Sequence, residues 1–157
     1  MTTVTRELLE RFDVPGPRYT SYPTADRFVE AFGGRDYELA LEQRRSGPAA
    51  LALPLSIYVH IPFCESLCYY CACNKIITKH HERSAPYLQL LSREVDLHVR
   101  HLGRGASVSQ LHLGGGTPTF FNDEELTELM AMLRRNFSLV PGGEYSIEVD
   151  PRTVDET

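Results

Sequence analysis

Residues 58–75 read YVHIPFCESLCYYCACNK, an apolar strand pattern that runs into a loop containing every cysteine of the chain. The four cysteines are Cys64, Cys68, Cys71 and Cys73. Thiolates at such short spacings are typical of an iron–sulfur ligand set, whereas disulfide partners are usually spread along the chain so that they close longer loops. The stretch therefore predicts a strand followed directly by a loop that holds an inorganic group.

Three alternatives to an iron–sulfur site stay open on the residues alone. A four-cysteine zinc site uses two well-separated C-x-x-C pairs, and the Cys71-x-Cys73 spacing is too tight to serve easily as one of them. A dithiol redox pair needs only Cys68 and Cys71, and it gives Cys64 and Cys73 no role. Disulfides are the third alternative. The zinc interpretation corresponds to a binding module without catalysis.

Length, composition and charge are those of one ordinary globular domain. The chain has 157 residues, 42% hydrophobic residues and a formal net charge of −5. That charge argues against nonspecific binding of nucleic acid, for which a basic surface is expected. No stretch reaches the roughly 20 apolar residues of a membrane span, and the N-terminus has no apolar signal-peptide core. We therefore expect a cytoplasmic protein whose thiols stay reduced.

Strand and helix patterns alternate from residue 56 onwards. One helix is predicted from an N-cap at Ser84 to a stop at Gly103, and another from Asn122, with Glu125 completing a capping box. A strand–helix–strand–helix–strand order predicts an α/β fold with parallel strands, either a barrel or a doubly wound sheet. The three predicted strands are Ser56–His60, Val108–Leu113 and Tyr145–Val149.

The first 50 residues predict a helical extension before this unit. An irregular segment, GPRYTSYPTA at residues 16–25, separates two short amphipathic patterns. We accordingly expect residues 1–50 to form an N-terminal helical and loop extension, and residues 51–157 to form the first half of a barrel. The apolar residues of the two patterns are Leu8, Leu9 and Phe12, followed by Phe28, Val29 and Phe32.

Period-two alternation along the predicted strands separates an apolar face from a polar one. The apolar face is expected to pack under the helices, so the polar face must line something wet or occupied. This favours an open barrel, because a second helix layer would bury a carboxylate. The predicted lumen residues are Tyr58, His60, Gln110, His112 and Glu148.

Taken together, the motifs resemble those of radical S-adenosylmethionine (SAM) enzymes. The C-x-x-x-C-x-x-C loop and the GGGTPT loop at residues 114–119 are similar to the cluster and glycine motifs of that superfamily. With GPRYTSYPTA, QLHLGGGTPT and SIEVDP, the likeness extends over residues 14–152 to the oxygen-independent coproporphyrinogen III oxidase family. Thr117 departs from the glycine motif of the superfamily, in which many members carry Glu at this position, and Ala72 stands where relatives in the oxidase family often have Gly.

The resemblance implies the N-terminal part of a radical SAM partial (β/α) barrel and two cofactors, a [4Fe-4S] cluster and SAM. Cys73 is implied to be no cluster ligand, and no catalytic residue is assigned. We also expect N–H groups of the glycine loop to bond the amino-acid part of SAM, and Glu148 to supply the charge that Thr117 lacks. The implied cluster ligands are Cys64, Cys68 and Cys71, and the implied SAM contacts are Tyr58, Tyr70, Gly115 and Glu148, with Gly116 and Thr117 at a second SAM.

The implied reaction is the oxygen-independent oxidative decarboxylation of coproporphyrinogen III to protoporphyrinogen IX in haem biosynthesis. A porphyrinogen substrate and an electron donor such as flavodoxin or ferredoxin are the implied partners. The alternative is the related radical SAM-like haem chaperone, which shares the three cysteines and GGGTP; GPRYTSYPTA and Cys73 favour the oxidase.

Three strands do not close a barrel. We therefore expect the chain to be an N-terminal part of such a protein or a truncated product, and not to turn over coproporphyrinogen III by itself.

Overall fold

The computed structural model describes residues 4–13, 27–47, 53–69, 71 and 73–152. The segment GPRYTSYPTA and the residues Tyr70 and Ala72 lie outside these ranges. The chain forms two compact units, Met1–Tyr37 and Glu38–Thr157. The predicted domain boundary after residue 50 stays a prediction. No helix in the described ranges is long and apolar enough to cross a membrane.

Among the described residues of the N-terminal region, two helices occur, α1 (Arg6–Phe12) and α2 (Gly34–Ser46). The first confirms the prediction, but the second predicted pattern is wrong in position. Helix α2 begins only at Gly34, just after Gly33, whose N–H donates to the Asp36 carboxylate at 2.9 Å. Three apolar residues of the predicted pattern therefore precede the helix: Phe28, Val29 and Phe32.

The larger unit is built on a parallel three-stranded sheet, which confirms the predicted α/β class. Its strands β1 (Leu55–Ile61), β4 (Ala106–Gly115) and β5 (Phe137–Ile147) lie side by side in that order. A separate parallel pair, β2 (Phe63–Cys64) and β3 (Ile76–Ile77), lies within the connection that follows β1. Parallel neighbours need crossover connections, and two helices provide them.

These crossover helices are α3 (Ser84–Leu102) and α4 (Asp123–Asn136). The capping box of α4 is confirmed, because Asn122 and Glu125 exchange hydrogen bonds of 2.9 Å and 3.0 Å between side chain and backbone. Gly103 ends α3 with a φ of 84°, as predicted.

The predicted N-cap of α3 at Ser84 is wrong. A 3-10 turn, His81–Arg83, runs directly into the helix, so Arg83 is the N-cap and already has helical φ and ψ. Ser84 is the first helical residue. Its hydroxyl lies within hydrogen-bonding distance of both the His81 carbonyl and the Glu125 carboxylate, and it thereby joins the starts of α3 and α4.

Strand β5 begins eight residues before its predicted start at Tyr145. Phe137 continues from α4 without a loop and pairs with Ala106, the first residue of β4. The register then shifts between Val108 and Gln110 of β4, where Pro141, Gly142 and Gly143 interrupt the apolar alternation in β5. Because of this interruption, the prediction from period-two alternation missed the first half of β5.

One face of the sheet packs against α3 and α4 and forms the core. Val59 and Leu111 of the sheet are 4% and 3% exposed, and Leu129 of α4 is fully buried. Ile147, which was also predicted to face the helices, remains 42% exposed on β5. The core therefore lies on the helix side of β1 and β4, and the opposite face of the sheet carries the polar residues.

Candidate active site

Three segments that follow strands meet at the carboxyl edge of the sheet. The cysteine loop follows β1, the glycine loop follows β4, and Glu148 follows β5. In parallel α/β sheets the carboxyl ends of the strands form the ligand-binding edge, so this arrangement defines the candidate site.

The stem of the cysteine loop is closed by backbone hydrogen bonds. Ile76 donates its N–H to the Pro62 carbonyl at 2.7 Å, and Thr78 donates to the Cys64 carbonyl at 2.8 Å. The ring of His60 reaches across from β1, with Nε2 lying 2.9 Å from the carbonyl oxygen of Asn74. Cys64 is thus anchored in β2 at the base of the loop.

All four cysteines are free thiols, and the thiols of Cys64 and Cys71 are partly buried. A turn brings the Cys71 N–H to 3.3 Å from the Cys68 carbonyl. Among the described residues, no three His, Cys, Asp or Glu side chains are arranged to hold a single metal ion. A single metal ion requires all its ligand side chains to converge on one point, whereas a four-iron cluster binds each thiolate at a separate corner. Three soft sulfur donors on one closed loop fit that larger group.

The glycine loop packs directly against the connection between β1 and β2. Gly116 donates its N–H to the Ile61 carbonyl and Thr117 to the Phe63 carbonyl, both at 2.8 Å. A Cβ atom at Gly116 would lie 2.7 Å from backbone atoms of Pro62 and Phe63, so only glycine allows this approach.

These contacts correct the expectation that the N–H groups of the loop are available to SAM. The donors of Gly116 and Thr117 are used within the protein, and the Gly115 N–H lies 3.3 Å from Glu148 Oε2. Of the three, only the Gly115 donor faces a side chain that a ligand can displace. The glycines in the sequence showed that this loop has few side chains. They did not show which backbone N–H groups are already paired within the protein.

The predicted polar face is confirmed, and most of its side chains form one connected network. Tyr58 stacks on His112 with ring centroids 5.7 Å apart, and its hydroxyl lies 3.2 Å from His60 Nδ1. The register explains the stacking, because Tyr58 and His112 are directly paired on β1 and β4. His112 lies 2.7 Å from Ser146 Oγ and 3.3 Å from Glu148 Oε1.

Gln110 completes this face, although sequence reasoning did not identify its partner. Its side-chain amide donates to the Glu144 carboxylate at 2.8 Å. The two residues are paired across β4 and β5 beyond the register shift, so the long-range register decides this contact.

Glu148 is not the buried carboxylate that its position in the sequence predicted. Its side chain is 52% exposed, and its protein partners are His112 and the Gly115 N–H. The Glu148 N–H donates to the Leu113 carbonyl at 2.9 Å and thus extends the ladder past the end of β5. The carboxylate is held at the sheet edge while remaining accessible.

Partial burial raises the pKa of Tyr58, and the negative charges of Glu148 and Cys73 raise it further. The phenol therefore keeps its proton at neutral pH and can act as a hydrogen-bond donor.

Asp150 and Arg152 form a further contact at this edge that sequence reasoning missed. Their side chains pair at 2.6 Å, and this pairing lowers the pKa of Asp150 to about 2. Arg152 Nη2 also donates to Ser66 Oγ in the cysteine loop at 3.3 Å. The pKa of Arg152 is raised mainly by Asp150, with a smaller contribution from Cys68. The segment after β5 therefore contacts the cysteine loop that follows β1.

A parallel sheet covered by helices on one face, with a cysteine loop and a glycine loop at its carboxyl edge, defines the class of protein. The family model described as the Radical SAM superfamily matches residues 58–157, and the chain belongs to this superfamily. Members of the superfamily use SAM together with a [4Fe-4S] cluster.

Within the superfamily, the chain is similar to proteins named oxygen-independent coproporphyrinogen III oxidase. The relative from Pseudomonas aeruginosa is 53% identical over 152 residues, which cover 95% of this chain and 32% of the relative. The Escherichia coli relative is 46% identical, with 94% and 31% covered. A relative from Mannheimia haemolytica is 43% identical, with 92% of this chain and 94% of that protein covered.

A solved structure supports the same assignment. Coproporphyrinogen III oxidase from Escherichia coli, described as a radical SAM enzyme, superposes with a TM-score of 0.75 at 45% identity. The match covers 87% of this chain and 30% of that structure. The chain thus spans about a third of the length of the first two relatives.

Proposed function

We propose that Cys64, Cys68 and Cys71 bind three irons of a [4Fe-4S] cluster and that Cys73 does not. The support is the closed stem of the cysteine loop and the short spacing of three free thiols within it.

We further propose that SAM binds over the polar face beside this loop. Tyr58 offers a protonated hydroxyl as a hydrogen-bond donor. Glu148 offers an accessible carboxylate, and this negative charge suits the positively charged amino group of SAM. The other proposed contacts to this SAM are Tyr70, which lies outside the described residues, and Gly115, whereas Gly116 and Thr117 are proposed to contact a second SAM.

We propose that the chain contributes the cluster and SAM region for the oxidative decarboxylation of coproporphyrinogen III to protoporphyrinogen IX. The observation that carries this proposal is the set of relatives that all bear the oxidase name, at up to 53% identity. The cluster and SAM held by these residues would supply the radical chemistry that acts on a propionate side chain of the substrate. The protein holds the SAM amino acid through Glu148 and keeps the polar face ordered through His112.

We also propose an electron donor such as flavodoxin or ferredoxin, because reductive cleavage of SAM requires an external electron. A cytoplasmic location is proposed because all four cysteines are free thiols, and a reducing compartment keeps thiols in that state.

Anaerobic reconstitution with iron and sulfide tests the ligand set. About four irons per chain are expected, with the broad visible absorption of a cluster. Replacement of Cys64, Cys68 or Cys71 by alanine should abolish the cluster, whereas Cys73→Ala, the matched control, should retain it. Equal loss in all four variants would indicate a site with four thiolates and no open iron, and would contradict the proposal.

A chimaera tests the substrate. This chain replaces the matching 152 residues of the Pseudomonas aeruginosa relative, with which it is 53% identical. The reconstituted chimaera, supplied with SAM and a reductant, should release CO2 from coproporphyrinogen III, and Cys64→Ala in the same background should not. A chimaera that holds the cluster and cleaves SAM without releasing CO2 would contradict the substrate and leave the cluster assignment standing.

A further inference from the structure

Thr117 is fixed in position by its backbone on both sides. Its N–H donates to the Phe63 carbonyl, and its own carbonyl accepts the Phe120 N–H, both at 2.8 Å. The second bond belongs to the 3-10 turn Pro118–Phe120, which begins immediately after Thr117. The residue therefore has little freedom to move relative to β2, which contains Phe63 and Cys64.

The side chain of Thr117 contacts the first cysteine of the loop. Its hydroxyl donates to Cys64 Sγ at 3.3 Å, and both residues are partly buried. Cys64 is held independently, because its carbonyl accepts the Thr78 N–H at 2.8 Å. Since separate backbone bonds fix the two partners, the contact between hydroxyl and sulfur is already formed in the protein and does not require a ligand.

We propose that Thr117 is a positioning residue for the cluster: its hydroxyl orients the Cys64 sulfur and raises the reduction potential of the bound cluster. The inference rests on the proposed role of Cys64 as an iron ligand. A hydrogen bond to a ligand sulfur draws electron density away from iron and stabilises the reduced, more negative cluster. Hydrogen bonds to the sulfurs are among the factors that set the potentials of such clusters.

The geometry distinguishes this role from a purely structural one. The backbone bonds of Thr117 and of Cys64 hold the two segments together without the hydroxyl, so the fold does not depend on it. The hydroxyl instead contacts the sulfur atom of Cys64, so its hydrogen bond changes the electron density on the sulfur and affects the group that the sulfur binds. The electronic effect can therefore be removed while the loop geometry is retained.

Thr117→Val removes the hydroxyl and keeps the shape of the side chain, and Thr117→Ser keeps the hydroxyl. Each reconstituted variant is titrated anaerobically with redox mediators, and the reduced cluster is followed by electron paramagnetic resonance. At a fixed ambient potential, the ratio of reduced to oxidised cluster should fall by about threefold or more in Thr117→Val, and Thr117→Ser should stay close to the parent chain. Thr127→Val is the control, because it makes the same substitution at an exposed position of α4 and leaves the cysteine loop unchanged.

An unchanged potential in Thr117→Val with a full iron content would overturn the inference and leave the proposed function intact. An equal shift in Thr127→Val would also overturn it, because the effect would then not come from the hydrogen bond to Cys64. A parent chain that assembles no cluster would overturn the proposed function and this inference with it. Should Thr117→Val not fold, as judged by circular dichroism, Thr117→Ala removes the same hydroxyl and is read by the same criteria.

Discussion

Replacing Gly115 with alanine should destabilise the chain because the added methyl group enters space held by His60. The new Cβ would lie 2.5 Å from His60 Nδ1 and 2.6 Å from Cε1. Gly115 also has a φ of 109°, a backbone conformation that residues with a side chain rarely adopt. The substitution therefore combines backbone strain with a collision against a pinned ring.

The size of the destabilisation follows from the hydrogen bonds that the His60 ring loses when it is displaced. His60 is held through Nδ1 by the Tyr58 hydroxyl at 3.2 Å and through Nε2 by the Asn74 carbonyl at 2.9 Å. Displacing the ring breaks both bonds, at about 1 kcal/mol each. The unfavourable φ adds about 1–2 kcal/mol. We therefore expect the free energy of unfolding to fall by about 3 kcal/mol, the sum of these contributions.

Gly142→Ala is the matched control, because it isolates the backbone contribution. Gly142 has a φ of 75°, and a Cβ there would meet no atom within 4 Å. Its expected cost is about 1 kcal/mol, part of which is offset by the reduced freedom of the unfolded chain.

Urea unfolding of the metal-free chain, followed by far-ultraviolet circular dichroism, measures both variants. Gly115→Ala should lower the free energy of unfolding by about 2 kcal/mol more than Gly142→Ala does. When both substitutions are made in a His60→Ala background, most of this difference should disappear. Equal destabilisation by the two glycine substitutions would refute the collision with His60.

Three further outcomes follow from the same structure. Glu148→Gln should weaken SAM binding to the reconstituted chain by at least about tenfold in equilibrium dialysis, because a charge-assisted bond contributes about 1.5–3 kcal/mol; Glu144→Gln is the control, and equal affinities would leave Glu148 only its protein partners, His112 and the Gly115 N–H. Carboxyl NMR titration should give Asp150 a pKa of about 2, below its ordinary 3.8, so its pairing contributes to stability above about pH 4 and is lost as the pH falls through about 2; Arg152→Gln should return the pKa towards 3.8, and no change would argue against the pair. Leu88→Ala, at 4% exposure, should reduce the free energy of unfolding by about 2–5 kcal/mol, whereas Leu90→Ala on the same helix, at 58% exposure, should cost under about 1 kcal/mol; similar losses would contradict the assigned core face of α3.

Local patterns in the sequence predicted the elements whose formation depends on near neighbours. The capping box of α4 joins Asn122 and Glu125, which are three residues apart, and it was correctly predicted. The alternation in β1 and β4 likewise placed Tyr58 and His112 on the polar face, because the side chains of a strand point alternately to opposite faces. Where a pattern was interrupted, as at Pro141–Gly143, the prediction missed the start of β5.

The tertiary structure alone decided which distant groups meet. Thr117 contacts Cys64 across 53 positions in the chain, and Arg152 contacts Ser66 across 86. It also determined that the N–H groups of Gly116 and Thr117 are already paired. The sequence by itself determined the order of elements, the cysteine and glycine loops and the polar face, because these depend on spacing along the chain. Partners across the sheet depend on register and on the paths of the loops, and no local pattern encodes those.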